Sequence, residues 1–140
     1  MPVDMCGSFE LTSKDIDRQI SFVTPGNYVL GSRYQKNDKF YFEVCYVGRA
    51  DQDLNKKLKK HIGLYDRFMY STAATAEEAF IKQCRNYHDF MDKLDNIFHP
   101  VKPFTANWQC PFCDRMPVLI FMASWLEKTM INKPNNSLVK

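Results

Sequence analysis

Two nearby segments rich in aromatic and β-branched residues limit this chain to folds built around a β-hairpin. They are residues 26–30 and 40–47, and the connection between them includes Asn37-Asp38. Aromatic and β-branched residues favour strands, and Asn and Asp favour the turns that join them. The sequence therefore predicts that these two segments pair as an antiparallel hairpin.

A short basic helix and a third strand are expected after the hairpin. Asp53 can cap a helix over residues 54–61, and Gly63 is a stop signal just beyond it. Residues 67–72 are compact and apolar enough to form the third strand.

A long helix is predicted next, followed by a proline-rich extended segment. Thr75 and Glu78 form a capping box, and apolar residues at helical spacing continue to about residue 94. A last helix starts near Pro117. These elements predict an α+β fold with a small three-stranded antiparallel sheet flanked by helices and an added C-terminal helix.

Length and composition predict one cytoplasmic domain over residues 1–140. The 140 residues carry 19 Lys and Arg against 16 Asp and Glu, a net charge of +3 that by itself does not imply a nucleic-acid partner. The start of the chain lacks the apolar core of a signal peptide, and no stretch reaches the roughly 18 apolar residues of a membrane span. We therefore expect no membrane partner. Five cysteines, an odd number without a secretory context, argue against a disulfide framework.

The two predicted hairpin strands carry a pair of short motifs, Gly26-Asn27-Tyr28 and Tyr46-Val47-Gly48. With the basic helix, the long helix and the Pro103-x-x-x-Asn107 segment in the same order, the chain resembles the GIY-YIG nuclease superfamily over about residues 25–107. A narrower resemblance is to small bacterial GIY-YIG proteins that end in Trp-x-Cys-Pro-x-Cys. The matching segment here begins an extension over about residues 108–131.

The resemblance implies hydrolysis of nucleic-acid phosphodiesters with one divalent cation, Mg²⁺ or Mn²⁺. Such a reaction needs a group that activates water and positive charge near the phosphate. The family's catalytic positions fall on Tyr28, Tyr46, Lys57, His61, Gln83 and Asn107. The resemblance also implies that the two tyrosines lie beside the nucleophilic water and the scissile phosphate.

Two of these positions differ from the family pattern. Lys57 stands where the family has arginine, so a point charge replaces a bidentate fork. Gln83 stands at the metal-binding glutamate, and a neutral amide is a poor sole ligand for a hard dication. Three explanations remain open: a degenerate member, a metal held by Glu77 or Glu78 instead, or an inactivating Glu→Gln substitution. We expect little or no activity.

Basic residues near the second motif predict a nucleic-acid backbone contact, with DNA favoured. They are Arg49, directly after Gly48, and Lys56 and Lys60 on the basic helix. A solvated helix face is the alternative for the lysines, and cross-strand packing is the alternative for the two motif tyrosines.

Cysteine and histidine residues in the second half of the chain predict a structural zinc site. Cys84 and His88 are four residues apart on the long helix, and Cys110 and Cys113 have the spacing of a zinc knuckle. Together they would form a closed Cys3His site, with His99 as a substitute for His88. A redox dithiol and simple buried thiols are the alternatives.

The sequence leads to a GIY-YIG-type endonuclease domain as the first hypothesis. A catalytically dead nucleic-acid-binding or protein-interaction module of the same fold is the second, and a thiol oxidoreductase at Cys110 and Cys113 is the third. A homodimer is also open, because the helix that carries Trp125 could bury its apolar face on a second copy.

Overall fold

A computed structural model describes residues 4–113, which form an α+β fold with four antiparallel strands and three α-helices. The sheet order is β1-β4-β2-β3, so β2 lies between β4 and β3. In chain order the elements are β1 (Cys6–Glu10), α1 (Ser13–Gln19), β2 (Gly26–Lys36), β3 (Lys39–Ala50), α2 (Leu54–Lys59), β4 (Arg67–Thr72), α3 (Ala76–Phe90) and a 3-10 turn (Met91–Lys93).

The prediction of three strands is wrong by one, because β1 adds an edge strand. It pairs antiparallel with β4, and Phe9 packs against Phe68 with ring centroids 5.6 Å apart. An edge strand needs few apolar residues, so β1 shows little of the alternation that reveals buried strands. Helix α1 was not predicted either, and Thr12 caps it by accepting a hydrogen bond from the backbone N–H of Asp15.

The hairpin is longer than predicted. Strands β2 and β3 pair from Gly26 opposite Ala50 to Lys36 opposite Lys39, so most of the predicted connection is strand. Only Asn37 and Asp38 form the turn, with φ values of 54° and 64°. Two successive positive φ values are typical of a type I′ turn, whose twist matches that of the paired strands.

The predicted basic helix, third strand and long helix are confirmed within a few residues at their ends. Asp53 caps α2 by accepting from the backbone N–H of Lys56, and Thr75 caps α3 by accepting from that of Glu78. The predicted C-terminal helix from Pro117 lies outside the described residues.

The sheet separates two apolar layers. Tyr28 and Leu30 of β2 face α1 and α2, where they pack in one cluster with Leu54 and Leu58. The alternate residue Val29 packs with Val47 and with Tyr87 of α3 on the other face. Because successive strand residues point to opposite faces of the sheet, neighbouring residues of one motif pack in different apolar layers.

Within residues 4–113, no helix combines the length and the apolar character needed to cross a membrane.

Candidate functional site

Two aromatic residues of the hairpin and one histidine after α2 form a cluster on the α2 side of the sheet. The Tyr28 hydroxyl lies 2.9 Å from Nε2 of His61. The rings of Tyr28 and Tyr46 are stacked with centroids 6.5 Å apart, and the Tyr46 and His61 centroids are 5.4 Å apart. The structure thus brings together three of the six predicted catalytic residues.

Gly48 is required by the position of the Tyr28 ring. A Cβ atom at residue 48 would lie 2.3 Å from Cζ of Tyr28 and 2.5 Å from its hydroxyl oxygen. Residue 48 is directly opposite Tyr28 in the β2–β3 ladder. The glycine of the second motif therefore makes room for the tyrosine of the first.

The three residues of this cluster differ in their access to solvent. Tyr28 is only 1% exposed, whereas Tyr46 and His61 are partly exposed. A solvent molecule or a phosphate would therefore meet Tyr46 and His61 first, with Tyr28 beneath them. The expectation that Tyr28 itself lies beside a nucleophilic water is not supported by this burial.

Burial also fixes the charge states in the cluster. It raises the pKa of the Tyr28 and Tyr46 hydroxyls, so both remain protonated at neutral pH. Burial lowers the pKa of His61, and the ammonium groups of Lys57 and Lys60 lower it further. His61 is therefore neutral near pH 7, with one ring nitrogen able to accept a proton.

Two of the predicted basic residues, Lys57 of α2 and Lys60 just after the helix, lie near this cluster. Lys56, Lys57 and Lys60 are exposed, and the effect of Lys57 and Lys60 on His61 places their charges near its ring. An anion that approached His61 would meet positive charge from this helix.

Gln83 belongs to a different group, on the α3 side of the sheet. Its Oε1 accepts a hydrogen bond of 2.7 Å from Nη1 of Arg49, and its Nε2 donates to the Val47 carbonyl at 3.5 Å. The Arg49 guanidinium also donates to Asp51 at 2.8 Å and to the Val101 carbonyl at 2.6 Å, and it lies 5.1 Å from the Phe80 ring centroid.

The residues around Gln83 do not fit a divalent cation. Its amide oxygen already accepts from a permanently charged guanidinium, which would repel a metal ion. Glu77 is exposed at the start of α3, and the Glu78 carboxylate accepts from the Ala74 N–H at that helix end. Neither carboxylate offers a substitute ligand beside Gln83. The Arg49–Gln83 contact is therefore incompatible with a catalytic metal ion at this position.

Asn107, the last of the predicted catalytic residues, is exposed and makes no hydrogen bond to another residue within 4–113. Sequence reasoning missed Asp51 and Phe80 as contacts of Arg49. Only the alternation of strand residues could have indicated Asp51, because it places Asp51 on the same side as Arg49, two residues earlier.

A separate cluster of histidine and cysteine side chains could hold a metal ion such as zinc. The ligand atoms of His88, His99, Cys110 and Cys113 all lie within 4.8 Å of one another. Cys113 Sγ is 3.2 Å from Nε2 of His99 and 3.4 Å from Nε2 of His88. Cys110 Sγ is 3.5 Å from Nε2 of His88, and the two Nε2 atoms are 3.3 Å apart.

These separations agree with the edges of a tetrahedral zinc site. Zinc bonds of about 2.0 to 2.3 Å put neighbouring ligand atoms about 3.3 to 3.8 Å apart. The four contacts between ligand atoms, at 3.2 to 3.5 Å, are close to that range, and every one of the four side chains takes part in at least one of them. The four side chains are therefore arranged so that they could hold one ion.

The ligand group differs from the predicted Cys3His set, because His99 is included and Cys84 is not. Cys84 is fully buried on α3, and its pKa is raised by that burial and by the neighbouring Cys110 and Cys113 thiols. It therefore lies beside the group. Both histidines belong to the group that could hold an ion, whereas the sequence offered His99 only as a replacement for His88.

The chain was also compared with known proteins. No protein-family model matches it, and no curated protein or solved structure is significantly similar to it. What the chain does therefore has to be inferred from its own residues and their geometry.

Proposed function

We propose that this chain is a GIY-YIG-type endonuclease domain that acts on nucleic-acid phosphodiesters, with weak or no cleavage because Gln83 replaces the metal-binding glutamate. The observation that carries the proposal is the contact of Tyr28, Tyr46 and His61 beside the lysines of α2. These are the motif tyrosines and the histidine of the resemblance, and they are neighbours although they are far apart in the chain.

In the proposed reaction, His61 is the group that accepts a proton from the attacking water. In the tautomer with its proton on Nε2, His61 donates this proton to the Tyr28 oxygen 2.9 Å away, and the lone pair of Nδ1 is available. Tyr28 is thus a positioning residue that orients the imidazole ring. The water oxygen bonds to phosphorus and its proton goes to Nδ1. The bond from phosphorus to the leaving oxygen breaks, its electron pair stays on that oxygen, and the oxygen takes a proton from solvent water.

Lys57 supplies positive charge for the phosphate oxygens in this proposal. Its ammonium group is exposed near His61 and makes a point-charge contact, in place of a guanidinium fork. Partial stabilisation of the developing charge on the phosphate is consistent with weak cleavage.

The test is to restore the carboxylate and measure cleavage. The Gln83→Glu variant is incubated with plasmid and with single-stranded DNA in the presence of Mg²⁺ or Mn²⁺. Gln52→Glu, the same chemical change at an exposed position, is the matched control. A carboxylate at residue 83 would neutralise the Arg49 charge and offer a second oxygen to a metal ion, so we expect metal-dependent cleavage by Gln83→Glu that exceeds cleavage by the original chain and the control at least tenfold. This activity should disappear in Gln83→Glu/His61→Ala.

A catalytically dead nucleic-acid-binding module is the second candidate, and the Arg49–Gln83 contact favours it. A guanidinium that donates to the amide oxygen of Gln83 is unfavourable to a metal ion there, which leaves binding without metal-dependent cleavage as the role of the fold. If Gln83→Glu cleaves no substrate with either metal but the chain still binds nucleic acid, the module is the better description.

We also propose that zinc is the ion held by His88, His99, Cys110 and Cys113, and that it is structural. Two thiolates and two imidazoles favour zinc over Mg²⁺ or Mn²⁺. Four protein ligands leave no open position for a substrate, so the ion would hold α3 against the segment that carries the other three ligands.

A further inference from the structure

The β2–β3 hairpin extends beyond the rest of the sheet as a two-stranded arm. Strand β4 pairs with β2 only from Gly26 to Gly31, so residues 32–43 have no third strand beside them within the described part of the chain. We refer to residues 32–43 as the arm. A two-stranded ribbon has little core of its own, so large aromatic residues on it are not explained by packing alone.

One face of the arm carries a stacked pair of exposed tyrosines. Tyr34 and Tyr41 lie directly opposite each other, with ring centroids 5.5 Å apart and an angle of 23° between the rings. They remain 49% and 43% exposed. The two rings therefore present a broad aromatic surface to solvent.

This face continues into the candidate site. The ladder pairs Leu30 with Tyr46. A bulge then leaves Cys45 without a partner in the ladder, so that Gly31 pairs with Val44. Alternation from these two rungs puts the Tyr34–Tyr41 pair on the same face as Tyr46. The rungs of Tyr46 and of the tyrosine pair are separated by four residues of β2, or about 13 Å.

The opposite face of the arm is used differently. Phe42 packs against the cluster of Val29 and Val47, and the Arg33 guanidinium lies 4.4 Å from the centroid of the Phe40 ring. Phe42 is thus explained by packing, whereas Phe40 is 60% exposed and has the Arg33 guanidinium over its ring. On the tyrosine face, the two rings stack on each other and stay open on their outer sides.

We propose that Tyr34 and Tyr41 form a stacking platform for an unpaired base of a single-stranded nucleic acid whose backbone lies along α2 and His61. This inference rests on the proposed function, because it extends the same site. Aromatic side chains stack on any base whose face is open, which a duplex does not offer within its length.

The charges on the arm agree with this partner. Lys36 and Lys39 form the rung beyond the tyrosines on the same face, and Glu43 lies on the rung between the tyrosines and Tyr46. A strand that crosses the platform would therefore meet two ammonium groups at the tip of the arm and the lysines of α2 near His61. Two carboxylates separate the basic regions: that of Glu43, and that of Asp66, which accepts a hydrogen bond of 3.4 Å from the hydroxyl of Ser32 on the same rung.

Binding of a fluorescein-labelled 20-nucleotide oligothymidylate tests the platform by fluorescence anisotropy. Tyr34→Leu/Tyr41→Leu keeps apolar side chains on the arm but removes both rings, and we expect about tenfold weaker binding. Tyr34→Phe/Tyr41→Phe should bind as tightly as the original chain. Phe104→Leu, at a fully exposed aromatic position elsewhere, is the matched control and should also bind unchanged.

A photochemical crosslink identifies the contact directly. With 5-iodouracil in the oligonucleotide, irradiation should attach the strand to Tyr34 or Tyr41, and mass spectrometry of the digested protein should identify that peptide. Unchanged affinity of the Leu variant, together with crosslinks elsewhere, overturns the platform but leaves the proposed function standing. A chain that binds no nucleic acid overturns both.

Two further outcomes also overturn the platform. One is a DNA duplex that binds as tightly as the single strand and is weakened equally by the Leu variant. The other is a dimer, detected by sedimentation, that the Leu variant dissociates while its affinity for the oligonucleotide stays the same.

Discussion

Gly48 and Tyr28 show how one residue of a short motif depends on another. The Tyr28 ring occupies the space of a side chain at residue 48, and its hydroxyl reaches His61 at 2.9 Å. A larger residue at position 48 would push the ring away from the histidine. At the residue scale, the two motifs therefore act as one packing unit that holds His61.

We predict that Gly48→Ala destabilises the protein by about 1 to 3 kcal/mol, because the added methyl group overlaps a buried ring. In the Tyr28→Leu background the overlapping ring atoms are gone, so the same substitution should cost much less. Urea unfolding of the four proteins of this double-mutant cycle measures the difference. Equal costs in both backgrounds would contradict the packing unit.

The position of Gln83 in a motif does not determine which residue contacts it in the folded chain. The sequence placed it at the family's metal-binding position, but its partner Arg49 is 34 residues away in the chain. Strand β3 and helix α3 bring them together on the side of the sheet away from the tyrosines. The electrostatic conflict between a metal ion and this guanidinium is visible only in the folded chain.

At the scale of elements, the histidine and cysteine ligands connect α3 to the segment after it. His99 is two residues before Val101, whose carbonyl accepts from Arg49. Trp108 is two residues before Cys110, and its ring lies 5.8 Å from the Phe80 ring. An ion held by the four side chains would therefore fix the segment that contains Val101 and Trp108. The Val101 carbonyl contacts Arg49, and the Trp108 indole contacts Phe80.

Native mass spectrometry tests the metal at this scale. We expect one zinc ion per chain, lost in Cys110→Ser and in His99→Ala but retained in Cys84→Ser, because Cys84 lies beside the ligand group. Cys6→Ser, at an exposed cysteine, is the matched control. Removal of zinc by a chelator should lower the unfolding temperature of the original chain. Zinc loss in Cys84→Ser with retention in His99→Ala would support the Cys3His set instead.

Some helices and strands follow from nearby residues in the sequence, whereas others depend on distant segments. Asp53 and Thr75 cap their helices through residues three positions later, and β4 follows its own composition, so these elements were predicted correctly. The register of β1 depends on β4, which is about sixty residues away. The length of the arm depends on a ladder that continues through polar residues, where alternation gives no signal.

At the scale of the whole molecule, a net charge of +3 says little about the binding partner, and the distribution of the charged residues matters more. The lysines of α2 are exposed near His61, on the same side of the sheet as the motif tyrosines. Charge concentrated beside one cluster attracts an anionic backbone more effectively than the same charge spread over the surface.

Salt dependence measures how many phosphates this region contacts. We predict that the slope of log K against log of the salt concentration becomes shallower by about 1 to 2 in Lys57→Ala/Lys60→Ala, because each phosphate contact releases counterions. Lys93→Ala, at an exposed lysine after α3, is the control and should leave the slope unchanged. An unchanged slope in the double variant would mean that α2 is only a solvated face.

The sequence by itself determined the α+β class, the hairpin, the capped helices and the residue types available for a phosphate site and a zinc site. Those features follow from local composition, short-range capping and the spacing of motifs. Only the tertiary structure decided that Tyr28 is buried beneath Tyr46 and His61, and that the Arg49 guanidinium donates to the Gln83 amide oxygen. It also decided that His99, and not Cys84, lies in the group of side chains that could hold a metal ion. Each depends on which side of a sheet or helix a residue faces and on which distant segment packs there, and no local pattern encodes that choice.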